Sequence, residues 1–306
     1  MKTAKFVDEV EIFLRAGRGG EGSSAKKRTK RGFVNWGGDG GKGADVYIKG
    51  NPHLFDLSKF LNKKVFLGAC GENGSSNRRK GRDAPSLVIE VPLGTLVKDG
   101  QGKVLWEIRD CGKILLAKGG RGGKGNFKRK EIIPPQPGES RKVILDFRIC
   151  ADVALLGESN CGKSTLISKL TNLKPRISDF PFTTQLPVWG VVERDYRVFT
   201  ILELPAIIGG KEEKLLGLRF LKHTQRAKVL IFLLDAEKPP YEEKISSIKG
   251  VLNKHGIDYS SKKTLIVINK IDKINDKNLP QNYLKISAKE NMGIKELVDK
   301  IFSFLR

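Results

Sequence analysis

The 306-residue sequence has few of the residues that build metal centres, disulfide frameworks or histidine-based catalytic sites. Its four cysteines form no CxxC pair and have no histidine cluster beside them: Cys70, Cys111, Cys150 and Cys161. This pattern gives no support to a zinc site or a disulfide scaffold, and it fits a reducing compartment. The three histidines lie far apart in sequence, so we interpret them as structural and find no Ser-His-Asp hydrolase or metalloenzyme pattern. They are His53, His223 and His255.

The sequence also lacks a long apolar run. No stretch approaches the length of a membrane-spanning helix, and a strand-like segment over residues 6–14 follows Met1 with no signal or transit segment between them. We therefore expect a cytoplasmic protein, bacterial by default, and a monomer. At this length the chain can bury two separate cores without disulfides or metals.

Negative charge is scarce relative to positive charge. There are 57 Lys and Arg against 34 Asp and Glu, which gives a formal net charge of +23. This excess is larger than solubility requires and attracts a polyanion, so nucleic acid is the expected partner. Two alternatives stay open on charge alone, a basic surface that is merely well solvated and an anionic membrane surface.

Glycine divides the chain into two halves. Residues 1–150 contain 25 of the 34 glycines and a net charge of +15, whereas residues 151–306 contain 9 glycines and a net charge of +8. In the first half, glycines recur at steps of three, which is the period of the polyproline II helix, where glycine lets backbones pack side by side. Because β-rich runs lie between these tracts, we predict a β-rich domain with glycine-rich polyproline II loops over residues 1–150. A flexible glycine-rich linker is the alternative.

Basic residues cluster beside the glycine tracts, at residues 26–31, 78–82 and 121–130. Loops that carry such clusters can lie along a phosphate backbone. Three aromatic residues near them could stack on bases, although an aromatic residue in a small domain is more often part of the core. These residues are Phe33, Trp36 and Phe127.

The second half, residues 151–306, alternates apolar strands with helical stretches, which predicts an α/β domain with a largely parallel sheet. A strand over residues 152–156 runs into a complete GxxxxGKS motif, and a helix is expected over residues 165–173. In this context backbone N–H groups surround phosphates, Lys163 neutralises the β and γ oxygens, and the Ser164 hydroxyl ligates Mg²⁺. The expected nucleotide contacts are Gly157, Glu158, Ser159, Asn160, Cys161, Gly162, Lys163, Ser164 and Thr165.

Two further motifs select the base. An NKxD motif at residues 269–272 follows a predicted strand over 264–268, and an SAK motif at residues 287–289 follows a short strand over 283–286. A buried Asp272 carboxylate can accept hydrogen bonds from N1–H and the exocyclic amine of guanine, whereas adenine would leave it unpaired. The predicted ligand is therefore GTP or GDP, with Lys270 along the base plane and an N–H of Ala288 or Lys289 at O6. The expected base-site residues are Asn269, Lys270, Asp272, Ser287, Ala288 and Lys289.

A first switch is expected between these motifs, at Phe182, Thr183 and Thr184. A threonine hydroxyl there would complete the coordination of Mg²⁺ and sense the γ-phosphate. We predict Thr184 for this role, with Thr183 as the alternative. Ser164 and Thr184 are thus the expected Mg²⁺ ligands, and Lys163 and Thr184 are the expected catalytic residues.

Several of these features occur together in one known family. They are the glycine tracts of residues 17–43 and 119–126, the segment 91–95, the phosphate-binding loop, Phe-Thr-Thr at residues 182–184, and GLRFLKH at residues 217–223. Over nearly the whole chain they closely resemble the Obg family of GTPases. The resemblance implies an N-terminal Obg domain, a Ras-like GTPase domain, slow intrinsic hydrolysis, and association with the large ribosomal subunit and its rRNA during maturation. The further C-terminal domain that members often carry is expected to be absent.

The second switch departs from the family pattern of Asp-x-Pro-Gly. This sequence has Glu203-Leu204-Pro205-Ala206, so a longer carboxylate would have to make the water-mediated contact to Mg²⁺. Ala206 keeps the N–H expected at the γ-phosphate but lacks the rotational freedom of glycine. The apolar Ile207 that follows cannot orient an attacking water. Asn160 occupies the position at which some related GTPases coordinate K⁺, which makes K⁺ a further candidate cofactor.

The expected function is a Mg²⁺-dependent GTP-binding switch that hydrolyses GTP slowly and acts in assembly of the large ribosomal subunit. The alternative is a scaffold for RNA or the ribosome that binds guanine nucleotides with little or no hydrolysis, because of the altered second switch. An ATP-driven nucleic-acid motor is disfavoured, since residues 269–272 select guanine.

Overall fold

The computed structural model describes residues 6–171, 187–207, 217–274 and 279–306. These residues divide into two compact units, one that ends at Phe147 and one that begins at Arg148. The predicted domains, residues 1–150 and 151–306, differ from this division by a few residues. Each unit has its own sheets and its own buried core.

The first unit is built mainly from β-strands, arranged as a five-stranded sheet of order β5-β1-β10-β7-β8, a three-stranded sheet of order β6-β4-β9, and a β2-β3 hairpin. Strand β1 buries Val10, Ile12 and Leu14 and exposes the residues between them, and this period of two gives a sheet with one face in the core. The bounds are β1 (Glu9–Arg15), β2 (Lys26–Thr29), β3 (Gly32–Asn35), β4 (Val46–Asn51), β5 (Val65–Leu67), β6 (Leu87–Pro92), β7 (Thr95–Lys98), β8 (Val104–Glu107), β9 (Lys113–Ala117) and β10 (Ser140–Phe147), with a 3-10 helix at Ser58–Phe60.

The glycine tracts lie outside these sheets and hydrogen-bond to one another through their backbones. Gly20 N–H donates to Gly41 O at 2.9 Å, Gly40 N–H to Gly123 O at 2.8 Å, and Gly123 N–H to Gly20 O at 2.8 Å, so three segments bond in a ring. A Cβ atom on Gly20 would lie 1.9 Å from Glu72 O, a distance no side chain can occupy. The glycine-packed bundle predicted from the threefold period is confirmed, and its glycines are needed because backbone packs against backbone.

The second unit is a six-stranded sheet of order β12-β13-β11-β14-β15-β16, parallel except between β12 and β13. The predicted α/β architecture is therefore confirmed. Its elements are β11 (Val153–Gly157), α1 (Lys163–Leu170), β12 (Val188–Arg194), β13 (Arg197–Glu203), β14 (Val229–Asp235), α2 (Tyr241–Lys254), β15 (Lys263–Asn269), β16 (Leu284–Lys285) and α3 (Ile294–Leu305), with 3-10 helices at Leu221–Arg226 and Ile271–Lys273.

The core of the second unit forms around the central strands of this sheet. Every residue of β14 is buried, as expected of a strand covered on both faces. Leu155 and Ile231 pack in one cluster with Ile167 of α1 and Ile301 of α3. Because β11, β13, β14 and β15 are parallel, their carboxyl ends meet at one edge of the sheet, and the loops that follow them share that edge.

Candidate functional site

The loop between β11 and α1, residues 157–164, turns through two left-handed positions, Asn160 with φ 62 and Gly162 with φ 95. A Cβ atom on Gly157 would lie 2.4 Å from Leu233 O, which explains the glycine at the start of the loop. Helix α1 begins immediately after Gly162, two residues before the predicted start, so the N–H groups of its first turn adjoin the loop. All nine predicted loop residues, Gly157 to Thr165, are therefore placed together around one helix N-terminus.

Lys163 is held inside this loop and is only 7% exposed. Its Nζ donates to Glu158 O at 2.7 Å and to Gly157 O at 3.4 Å. The Glu158 side chain in turn accepts a hydrogen bond from Nζ of Lys244, on α2, at 2.8 Å. The ammonium group of Lys163 is thus fixed by loop carbonyl groups, in a place where it can neutralise an anion bound at the helix N-terminus.

Ser164 and Glu203 meet next to Lys163. The Ser164 hydroxyl donates to Glu203 Oε1 at 2.8 Å, and Glu203, at the carboxyl end of β13, is 7% exposed. Burial raises the pKa of Glu203, while the Ser164 hydrogen bond and the charge of Lys163 act in the opposite direction. Its Oε2 is buried and makes no hydrogen bond to the residues that the structure describes.

A buried carboxylate oxygen that needs a partner, beside a serine hydroxyl, is a donor set that suits a hard cation such as Mg²⁺. Within the described ranges, no group of three or more His, Cys, Asp or Glu residues could hold a metal ion. Ser164 and Glu203 therefore fit a cation that takes its other ligands from water and from phosphate oxygens of a nucleotide, as Mg²⁺ commonly does.

The rest of the second switch follows β13 directly. Leu204 N–H donates to Leu155 O at 3.3 Å, and Ala206 is buried together with Ile207. The proposed first-switch residues lie outside the described residues, so the predicted roles of Phe182, Thr183 and Thr184 stay predictions.

Asn269 joins the phosphate-binding loop to the base-site loop. It lies at the end of β15, is 2% exposed, and donates from Nδ2 to Cys161 O at 2.9 Å. Its Oδ1 accepts from the N–H of Ala288 at 2.9 Å. One amide side chain thus sets the distance between two loops that are more than a hundred residues apart in sequence.

Asp272, which is predicted from the sequence to be buried, is exposed in the structure, because it lies in the short 3-10 helix that follows β15, which contains no buried residue. Neighbouring side chains nevertheless orient Asp272 and Lys270. Asp272 Oδ1 accepts from the Ser287 hydroxyl at 2.5 Å, and this hydrogen bond lowers the pKa of Asp272, which keeps the carboxylate ionised as an acceptor. Lys270, which adopts φ 68, pairs through Nζ with Asp235 Oδ2 at 2.7 Å. Lys289 lies in the same loop as Ser287 and pairs with Glu290 at 3.2 Å. The base-site residues predicted from sequence are therefore brought together at the same sheet edge as the phosphate-binding loop.

Sequence reasoning did not identify Asp235 or Lys244, which orient Lys270 and Glu158. Asp235 ends the apolar run of β14, and a carboxylate at the end of a buried parallel strand was a usable signal. Lys244 carried no comparable signal, since it lies in a helix 86 residues away from Glu158 in sequence and belongs to no motif.

In the first unit, the structure brings together two of the three aromatic residues selected from the sequence. Trp36 and Phe127 pack edge to face, with ring centroids 5.6 Å apart, and the guanidinium of Arg78 lies 4.2 Å from the Trp36 centroid. Together with Lys128 and Arg129, Arg78 and Phe127 line a cleft of about 260 Å³. Asp39 lines the same cleft and pairs with Arg129 at 3.0 Å. Phe33, on the β2-β3 hairpin, is 71% exposed. The first unit thus presents cations in this cleft and an exposed aromatic ring on the hairpin.

The parallel sheet, the phosphate-binding loop after its first strand, and the NKxD and SAK loops at the same edge define a P-loop GTPase domain, preceded here by a glycine-packed β domain. The family model GTP1/OBG matches residues 7–148, and a model described as 50S ribosome-binding GTPase matches residues 152–270. Among solved structures, Era of Aquifex aeolicus bound to GDP and AlF4⁻ aligns with a TM-score of 0.40 and 26% identity, over 50% of this chain and 56% of that chain.

Two relatives match over most of their length. GTPase Obg of Flavobacterium johnsoniae is 38% identical, over 100% of this chain and 99% of its own length. GTPase Obg of Persephonella marina is 40% identical, over 93% of this chain and 89% of its own length. The chain belongs to the Obg family of GTPases, and the resemblance found in the sequence is confirmed. No helix in the described parts of the chain is long and apolar enough to cross a membrane.

Proposed function

We propose that this GTPase is a Mg²⁺-dependent, slowly hydrolysing switch that acts in assembly of the large ribosomal subunit. The observation that carries the proposal is that β11, β13 and β15 deliver three loops to one edge of the sheet: the phosphate-binding loop, the second switch at Glu203, and the NKxD loop. The hydrogen bonds from Ser164 to Glu203 and from Asn269 to the phosphate-binding loop tie these three loops together.

At the phosphate end, the N–H groups of the loop and of α1 bind the phosphates, and Lys163 stabilises the negative charge that develops when water attacks the γ-phosphate in line. Ser164 and Thr184 would hold Mg²⁺, and Glu203 would contact a water molecule of its hydration shell. The ion supplies charge neutralisation at the β and γ oxygens. We expect Phe182, Thr183, Leu204, Pro205 and Ala206 to contact this end of the nucleotide, and we assign no general base.

At the base end, the ionised Asp272 accepts from guanine N1–H and the exocyclic amine. Of the two N–H groups expected at O6, that of Ala288 already donates to Asn269, so we assign this role to Lys289. Adenine would not supply these two donors to the Asp272 carboxylate, and this loss favours guanine. We expect Asn160 to coordinate K⁺ if this ion activates hydrolysis. Equal GTP turnover in K⁺ and Na⁺ buffers would contradict a role for K⁺.

Binding to the large subunit is supported by the net charge of +23, by the cations of the cleft in the first unit, and by the exposed ring of Phe33. One of the two family models that match the chain is described as a 50S ribosome-binding GTPase. In this proposal the basic loops contact rRNA phosphates and Phe33 stacks on a base. We place the protein in the bacterial cytoplasm, where large subunits mature, and we expect it to be a monomer.

A second candidate function is favoured by one observation, the Glu203 and Ala206 pair at the second switch. The Glu203 carboxylate reaches the Ser164 hydroxyl directly, and Ala206 is packed in the interior. If these residues hold the switch in one conformation, the protein is a scaffold that binds guanine nucleotide and RNA with little hydrolysis.

Steady-state GTP hydrolysis by the full chain, in K⁺ buffer with and without large ribosomal subunits, tests the proposal. We expect slow turnover that large subunits stimulate and that Lys163→Ala abolishes. Tight guanine-nucleotide binding without turnover in either condition favours the scaffold. Failure to bind GTP or GDP, or displacement of GTP by equimolar ATP, contradicts both functions.

A further inference from the structure

The first residues of the GTPase unit, 148–150, follow directly on the first unit and form the connection to it, and they are hydrogen-bonded to one short helix of the GTPase unit. Arg148 donates from Nη1 to Gln225 Oε1, and the N–H of Ile149 donates to His223 Nδ1 at 3.2 Å. Nη1 of Arg226 lies 2.8 Å from Cys150 Sγ. Three consecutive residues of the connection, 148–150, thus each contact the 3-10 helix Leu221–Arg226, which we call the connection helix.

The connection helix is fixed within its own unit. Phe220, Leu221, His223 and Thr224 are buried, and the Phe220 and His223 rings stack with centroids 6.0 Å apart. Nζ of Lys262 donates to Gln225 O at 2.8 Å and to Ala227 O at 2.7 Å, which satisfies carbonyl groups at the helix end. A displacement of this helix would therefore move its side chains together.

The other end of the connection helix adjoins the second switch. Residues 217–220 are helical and continue directly into Leu221. A Cβ atom on Gly217 would lie 2.2 Å from Ala206 O and 2.9 Å from Ile207 Cγ2, so the backbone at Gly217 lies against the last residues of the switch. Ala206 is in turn in the same tetrapeptide as Glu203, which bonds Ser164 of the phosphate-binding loop.

We propose that the connection helix couples the nucleotide state of the GTPase unit to the connection between the units, with His223 and Gln225 as positioning residues. The physical path runs from Ser164 and Glu203 through the Ala206–Gly217 contact to the side chains that bond residues 148–150. It rests on the proposed nucleotide switch, because coupling requires that GTP and GDP place Ala206 differently. Residues 148–150 then populate different conformations in the GTP and GDP states, although they do not contact the nucleotide.

Hydrogen exchange at the Ile149 amide measures this coupling in the full chain. Exchange is followed in peptides that contain residue 149, with GDP and with a non-hydrolysable GTP analogue, each at saturating concentration confirmed by a binding titration. We expect exchange rates that differ by at least about fivefold between the two states, the lower end of ordinary allosteric coupling. In Gln225→Ala, a change at an exposed position, we expect the difference to shrink, whereas the exposed control Lys228→Ala should leave it intact.

A second pair of variants addresses His223, which is fully buried. His223→Leu removes the acceptor for Ile149 N–H, and His223→Asn supplies an oxygen in a similar place, so the nucleotide-dependent difference should be lost in the first and restored in the second. Two results would overturn the coupling: a less than about fivefold difference in exchange at Ile149 between the two nucleotide states, or a difference that persists in both Gln225→Ala and His223→Leu. Neither result would contradict nucleotide binding or ribosome-stimulated hydrolysis. Absence of nucleotide binding in the titration removes the proposed function itself, and the coupling with it.

Discussion

Replacement of Asn269 by alanine tests whether one side chain holds the two halves of the nucleotide site together. Asn269→Ala removes the hydrogen bonds to Cys161 O and from Ala288 N–H, both at 2.9 Å and both buried. A buried polar group left without its partner costs about 1 to 3 kcal/mol, so we expect the free energy of unfolding of the GTPase unit to fall by about 2 to 6 kcal/mol. GDP affinity should fall as well, because the phosphate-binding loop and the SAK loop lose their common anchor.

The measurements are thermal unfolding without nucleotide and GDP titration at a temperature where the variant is folded. We expect GDP affinity to fall by at least about tenfold, which corresponds to about 1.4 kcal/mol of binding free energy. Asn253→Ala, at an exposed position of α2, is the matched control and should change neither quantity. Unchanged unfolding temperature and unchanged GDP affinity in Asn269→Ala would refute the anchoring role.

Three further predictions concern the bundle, the cation and the ribosome. Gly20→Ala should destabilise the first unit by at least about 1 to 3 kcal/mol, because its Cβ would lie 1.9 Å from Glu72 O, while Gly100→Ala, with open space around it, should not; thermal unfolding compares them. Ser164→Ala should make GDP affinity less sensitive to EDTA, since Ser164 is one of the proposed Mg²⁺ ligands; an EDTA effect equal to that of the unsubstituted protein would argue against this ligand. Phe33→Ala should weaken large-subunit binding by about 1 to 3 kcal/mol without lowering stability, as measured by sedimentation at fixed salt; equal binding would exclude stacking by Phe33.

Local sequence patterns were sufficient where neighbouring residues determine the structure. The GxxxxGKS loop was predictable because its glycines, strand and helix are contiguous, and the threefold glycine period indicated a bundle because glycine alone permits contacts such as that between Gly20 and Glu72 O. The GTPase unit also followed from the alternation of strands and helices. Two details of this unit were inexact: helix α1 begins at Lys163 rather than at residue 165, and Asp272 is exposed rather than buried.

Contacts between distant parts of the chain could not be predicted in the same way. The Lys270–Asp235 ion pair exists because β14 and β15 are neighbours with Asp235 in register with Asn269, and sheet order is a property of the whole domain. For the same reason the hydrogen bond from Ile149 to His223 of the connection helix could not be predicted, although the GLRFLKH motif of residues 217–223 was recognised and His223 was interpreted as structural. Glu203 was recognised as a departure, but its hydrogen bond to Ser164 depends on the pairing of β11 with β13.

The most direct test of a nucleotide-controlled switch on the large subunit is cosedimentation of the full chain with purified large subunits in the presence of GDP, a non-hydrolysable GTP analogue, or neither. We expect binding that is several-fold stronger with the analogue than with GDP and that weakens steeply with added salt, as phosphate contacts require. Equal binding in all three conditions, or binding that salt does not affect, would contradict the proposed switch.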